Sequence, residues 1–454
     1  MEKENGTPAI RNVVDTYSSK IELAYNGSRE DLDPYVPADH RPLESNTSSL
    51  GALAHLLKVS LGSGILAMPL AFKNAGLAMG VVCTMVIGFI CAHAIHVLVK
   101  TSQQLCVEIK KPSLGYADTC DLVFQNGPKR IRKYAPYARE LADWALAVTH
   151  LGACCVYVVV VGESFKQVSD IYGGPNWSVT IFCALTLVIL IPLTQITKLK
   201  YLVPFSAIAN FVWLASICIS IYYCLRDPPP VSTRNMATSI YGLPNFISTS
   251  LFAMEGIGLV MPIENEMTKP HQFLGCPGVL NIAMSAVVVL YAFVGFSGYW
   301  AFGEEVRGSL TLNLPADEIL AQTAKLLVAC VMLLSYALVF YVPVDVVWRR
   351  IQNRVPARTH RWGVAGVRLF GTLFTVGLAC AIPRLELFME LIGAVCLSIM
   401  GLTLPAIVET VWRWGKDLGP FYLVLWKNLI IIFFSLVALV SGVTFSIATL
   451  VESL

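Results

Sequence analysis

Charge is scarce in this sequence: 14% of its 454 residues are Asp, Glu, Lys or Arg, against 56% hydrophobic residues. With a mean hydropathy of +0.64, the chain carries far more apolar surface than a water-soluble core of this size needs. A bilayer is the solvent that such a composition fits. The net charge of +3 is too small to suggest nucleic acid, and Lys and Arg are grouped in particular loops instead of forming one basic face. Nearly all of the thirteen cysteines fall inside apolar runs, without CxxC or Cys/His ligand spacing, so neither a disulfide framework nor a metal site is expected. No cofactor is implied. GxSxG, HExxH, Walker and haem motifs are missing, which argues against a membrane enzyme. A cleavable signal is lacking too: the first apolar run begins only near Leu50, so the first span is expected to act as its own insertion signal.

What is present is a series of apolar runs, each long enough for a helix of about 20 residues to cross a bilayer. They predict an all-α integral membrane protein of about eleven spans. These are placed at Leu50–Phe72, Leu77–Ser102, Ala142–Val168, Ser178–Ile196, Tyr201–Leu225, Leu243–Met267, Val279–Phe302, Ile319–Trp348, Val364–Ile382, Leu387–Trp412 and Phe421–Leu450. Residues 1–49 mix charges, Asn, Ser and Pro with little apolar periodicity and read as a flexible tail before a transmembrane domain over 50–454. Most loop Lys and Arg lie in Lys110–Arg139, Lys198–Lys200, Arg349–Arg361 and Arg413–Lys416, all on the side of that tail. By the positive-inside rule the N-terminus is cytoplasmic and, with an odd number of spans, the C-terminus lies outside or in a lumen. The sequon Asn176-Trp177-Ser178 then falls on the outer side, too close to a span for glycosylation to be expected.

Two spans are interrupted. In the first, Leu61-Gly62-Ser63-Gly64 breaks the apolar run near mid-membrane and Pro69 follows. In the sixth, Phe252-Ala253-Met254-Glu255-Gly256-Ile257-Gly258 does the same, with Pro262 a turn later. Glycine loosens a helix and proline removes a backbone donor. Glycines also serve close helix packing in membranes. A matched pair, however, with five spans between the starts of the two, is the sequence pattern of an inverted-repeat transporter whose substrate sits at the breaks. The repeats would cover about 50–225 and 243–412, with 421–450 an added helix.

The chemistry of such breaks favours a zwitterion. A second half-helix begins with free N–H groups and a positive dipole end, which hold a carboxylate without a charged side chain; Ser63, Gly64 and Ile65 are placed to donate them. The carbonyls that end the preceding half-helix, together with Glu255, would accept an ammonium group. Ser60, Gly62, Phe252, Gly256 and Gly258 complete the candidate substrate residues. Charges inside spans are functional candidates by default. His55, Lys58 and Gly62 share one helical stripe, and His55 can either titrate between about pH 5 and 8 or remain a neutral core histidine. Glu255 can exchange a proton as well as bind substrate. Glu163, Asp345, Glu390 and Glu409 lie nearer span ends, and His93 and His96 near the inner end of the second span.

The run His55–Gly76, HLLKVSLGSGILAMPLAFKNAG, and the run Leu251–Met267, LFAMEGIGLVMPIENEM, strongly resemble the proton-coupled amino acid transporters of the amino acid/auxin permease superfamily. Weaker similarity, including AHAIHVLVKTSQQLC from Ala92 and SYALVFYVPVD from Ser335, extends from about Ser49 to the end. The resemblance implies a LeuT-like fold of five-plus-five inverted repeats and an eleventh helix. It further implies secondary active transport of small neutral amino acids, such as alanine, glycine or proline, together with H+, in a plasma or lysosomal membrane. His55 and Glu255 match the family's first-span histidine and sixth-span glutamate, which makes them the candidates for proton coupling. The predicted outer loops, about 167–177, 227–242 and 303–317, contain no cysteine, so the lumenal disulfide of animal relatives is not expected. A sodium-coupled carrier of the same fold, with Ser335 as a cation ligand, and a transporter-shaped amino acid sensor are the alternatives.

Overall fold

The structure is a computed structural model that describes residues 35–41, 47–60, 62–196, 203–254, 256–382 and 384–452. Among them there is one isolated parallel bridge, Thr47 to Met267, and no strand. Everything else regular is helical, which is what a bilayer requires of a backbone whose polar groups find no water.

The first span is two helices, α1 (Ser49–Ser60) and α2 (Gly64–Ala75), bent by 53° at the break. Gly76 ends α2 at φ 92°, where a side chain would be strained and would also strike Ala237. This tight corner leads straight into α3 (Leu77–Glu108), the second span. A further helix, α4 (Tyr116–Asn126), lies in the stretch read from the sequence only as a basic loop. The third span, α5 (Ala135–Ile171), runs past both of its expected ends.

The short pair α6 (Val179–Leu185) and α7 (Leu187–Thr194) occupies the place of the fourth span, followed by α8 (Val203–Arg226). The sixth span is again broken, into α9 (Leu243–Ala253) and α10 (Ile257–Asn265). Then come α11 (Val279–Phe302), α12 (Ile319–Ile351) and α13 (His360–Ala381). The tenth span joins α14 (Leu385–Ile392) to α15 (Leu404–Arg413) through a π-helical stretch, Gly393–Thr403, and α16 (Leu423–Glu452) closes the bundle. Nine helices among the described residues are long and apolar enough to cross a membrane, and the bent first pair makes ten. The shorter apolar Val179–Thr194 takes the remaining expected place.

The helices fall into two packed groups. α2 lies against α9 and α11, α1 against α10 and α11, while α5 packs on α12 and α13, and α13 on α6 and α7. The segment read as a flexible tail is tied down where it meets the bundle. Residues Pro37–His40 form a short 3-10 helix, and Arg41 donates to the carbonyls of Pro112 and Glu264 and to both Glu264 carboxylate oxygens. Gln103 adds a bond to the same carboxylate at 2.8 Å, and Thr47 exchanges backbone bonds with Glu266 and Thr268. At the opposite face, Arg226 and Tyr223 both bond Glu318 just before α12, at 2.8 and 2.7 Å. The Tyr223 hydrogen bond, then Arg226, holds the Glu318 carboxyl below its ordinary value.

Candidate functional site

The two broken spans cross at their breaks, and the local sequence explains how closely. A Cβ on Gly64 would collide with the Ala253 backbone, so glycine at the start of α2 lets it lie directly on the end of α9. In both spans the second half-helix carries proline at its sixth residue, Pro69 in α2 and Pro262 in α10. Each proline removes one more backbone donor just past the break.

Around the crossing lies a cavity partly continuous with solvent. Its wall includes Ser60, Gly62, Ser63, Gly64, Phe252, Gly256 and Gly258. Seven of the nine residues expected to bind substrate therefore meet at one place. Ile65, in the first turn of α2, is fully buried and is not on the wall. Glu255 lies outside the described residues, although its neighbour Gly256 is on the wall. His55 is exposed on α1 and does not line the cavity.

Among the described residues the wall contains no Asp, Glu, Lys or Arg. Its polarity comes from backbone and from a few neutral groups. The first turn of α2 presents the N–H groups of Ser63, Gly64 and Ile65, which no helical carbonyl can satisfy. Among the described residues a side chain on Gly62 would have only the Val59 carbonyl near it, at 3.5 Å. Gly258 instead faces α5, where a Cβ would come within 2.6 Å of Leu146 and 3.5 Å of the His150 ring.

The sequence reading missed the third wall. His150, Ala153 and Tyr157 of α5 and Val339 of α12 line the same cavity. His150 is buried, and its Nδ1 donates to the Leu146 carbonyl at 2.8 Å, since a carbonyl can only accept. That bond fixes the tautomer of the neutral ring and leaves Nε2 as an acceptor. The available signal was a histidine inside an apolar run. Also missed was Tyr291 of α11, whose hydroxyl bonds the Ser60 carbonyl and, at 2.8 Å, the Ala253 carbonyl. One side chain thus pins the ends of both first half-helices, α1 and α9.

The remaining in-span charges separate into paired and unpaired groups. Asp345 pairs with Arg349 at 3.1 Å, and Glu409 with Lys427 at 2.7 Å, with Asn428 bonding the same oxygen. These are structural ties. Glu163 and the buried Glu390 make no ion pair among the described residues and lie away from the cavity.

Solved structures share this architecture. The inward-facing conformation of Mhp1 superposes with a TM-score of 0.56 over 90% of this chain and 93% of that one, at 12% identity. A closed conformation of Mhp1, a nucleobase-cation-symport-1 family transporter with bromovinylhydantoin bound, gives 0.55 over 92% and 94%, at 11% identity. Two broken spans crossing at a cavity, in a bundle of this shape, define the LeuT-like fold. Residues 45–448 match the family described as transmembrane amino acid transporter protein, and the chain belongs to that family. It is 38% identical over 436 residues, 96% of this chain and 91% of the relative, to a Drosophila melanogaster protein named proton-coupled amino acid transporter-like protein pathetic. It is 26% identical over 414 residues, 88% of this chain and 90% of the relative, to the probable amino acid transporter skat-1 of Caenorhabditis elegans. The family is one of transporters, not enzymes.

Proposed function

We propose that this chain carries small neutral amino acids of the alanine, glycine and proline type across the membrane together with protons, by alternating access. The observation that carries the proposal is that, among the described residues, the wall where the two breaks meet has no Asp, Glu, Lys or Arg. A substrate held there brings both charges itself, as an α-amino acid does. Its carboxylate would take the N–H groups of Ser63, Gly64 and Ile65, and its ammonium the carbonyl end of α9 and Glu255. Ser60, Gly62, Phe252, Gly256 and Gly258 would enclose it. A neutral side chain suits a wall whose described residues offer it no counter-charge, and Phe252, Leu259 and Val339 favour a small one.

Proton coupling is assigned to Glu255 and His55, on two supports. One is the resemblance of their motifs to the proton-coupled transporters; the other is the 38% identity to the Drosophila proton-coupled amino acid transporter-like protein. Protonation on the acidic side would favour the loaded outward-to-inward conversion, and release at the higher cytoplasmic pH would reset it. The basic loops put the N-terminus in the cytoplasm. The same cycle serves uptake at a plasma membrane and export from a lysosome. The test is flux of radiolabelled alanine into proteoliposomes under an imposed pH gradient, with and without Na+. Uptake driven by the pH gradient alone is expected. Uptake only with Na+ would move the chain to the sodium-coupled class, and binding without flux would make it a sensor.

A further inference from the structure

Between the inner ends of α12 and α13, in the proposed orientation, lies a second concavity of about 1190 Å³, lined by Tyr341, Val344, Asp345, Trp348, His360, Arg361, Val364 and Arg368. Its chemistry is unlike that of the substrate cavity. From Val346 to Arg368 the chain has six arginines and no Asp or Glu. Arg349 and Arg350 are taken by Asp143, Asp345 and Glu140. Arg354, Arg358 and Arg361 have no carboxylate partner among the described residues. Asp345, the one acid on the wall, is already held by Arg349.

Arg361 sits in the first turn of α13, where free N–H groups and the helix dipole add to its charge. Arg368 follows two turns deeper on the same face and is 95% buried by its 5% exposure. Its Nη1 donates to the Thr194 and Ile196 carbonyls at the end of α7, at 2.8 and 2.7 Å, whereas its Nε–H has no acceptor among the described residues. A buried guanidinium with a donor left over by the described residues, below an exposed arginine at a helix N-terminus, is a ladder for phosphate oxygens. The walls between are apolar and aromatic, Tyr341, Val344, Trp348 and Val364. Beside the groove, α13 exposes Trp362 at 80%, Phe370 at 73% and Phe374 at 51%, a face that belongs to lipid.

We propose that this groove binds the phosphorylated headgroup of an anionic phospholipid in the cytoplasmic leaflet, with its acyl chains along the exposed face of α13. Basic pockets between spanning helices on this side of a membrane suit such headgroups. A headgroup there adds bonds to the arginine that ties α13 to α7. Its binding should therefore stiffen the fourth and ninth spans, which both pack on α5 behind the substrate cavity.

The test is thermal unfolding of the purified full chain in a zwitterionic detergent, titrated with dioctanoyl phosphatidylinositol 4-phosphate, dioctanoyl phosphatidylcholine or inorganic phosphate. Only the phosphoinositide is expected to raise the melting temperature saturably. Arg361→Gln, at an exposed residue with no partner to disrupt, should weaken that binding about fivefold, the equivalent of about 1 kcal/mol for one basic residue near an anionic headgroup. Arg130→Gln makes the same charge change in the loop between α4 and α5 and should leave it unchanged. Equal binding by Arg361→Gln, or an equal loss in Arg130→Gln, would overturn the site. Equal stabilisation by phosphatidylcholine or by inorganic phosphate would overturn the assignment to an anionic lipid.

Discussion

Gly62 and Gly64 are two residues apart, yet a side chain at each would meet a different environment. At Gly62 it would enter the cavity, and at Gly64 it would strike the Ala253 backbone. Gly62→Val is therefore expected to reach the membrane in normal amounts and lose alanine uptake, while Gly64→Val is expected to lose folded protein first. Surface biotinylation beside uptake separates the two, and equal uptake by Gly62→Val at normal surface level would remove the backbone site. Tyr291→Phe is a sharper probe of the same crossing. It deletes one oxygen and leaves the Ser60 and Ala253 carbonyls without that donor, a loss of about 1–3 kcal/mol in a buried setting. A lower melting temperature with reduced uptake is expected. An unchanged melting temperature would mean that the hydroxyl does not hold the breaks together.

At the scale of elements, both breaks were legible because glycine and proline mark them in the sequence. The cavity's third wall was not, since α5 is an unbroken helix and nothing in its periodicity separates His150 and Tyr157 from ordinary core. The π-helical Gly393–Thr403 was equally hidden. Its irregular backbone is satisfied by tertiary partners: the Tyr116 hydroxyl donates to the Met400 carbonyl at 2.7 Å, and the Ser435 hydroxyl to the Ser398 carbonyl at 2.6 Å. The tie between the N-terminal segment and α10 was hidden for a third reason. Arg41 and Glu264 are distant in sequence, and a polar tail reads as disorder when its partner is not visible. The pair is largely buried, with side-chain exposures of 9% and 3%. Removing one partner strands the other, so Arg41→Ala should cost about 3 kcal/mol. It should also loosen the C-terminal ends of α3 and α10. The readout is modification of native Cys106, buried near the C-terminal end of α3, followed by peptide mass spectrometry. Faster labelling together with a lower melting temperature is expected, and unchanged values for both would show that the tie is superficial.

For the whole molecule, composition alone set the solvent, the Lys and Arg distribution set the proposed orientation, and the paired breaks set the repeat. The fold class and the family agree with the membrane reading and the transporter resemblance. Transport then requires the two groups of helices, α1, α2, α9, α10 and α11 against α5, α6, α7, α12 and α13, to move relative to each other around a cavity that both line. Such motion can be harnessed to a proton gradient only if a titrating group gates it. Glu255 is the proposed gate, and Glu255→Gln mimics its protonated state alone. The decisive measurement is alanine accumulation in proteoliposomes from about pH 5 to 8, for wild type, Glu255→Gln and His55→Ala, beside alanine exchange without a gradient. Wild type should accumulate alanine when the outside is acidic. Glu255→Gln should keep exchange and lose accumulation, and His55→Ala should shift or flatten the pH profile. Accumulation by Glu255→Gln with the wild-type pH profile would contradict the account.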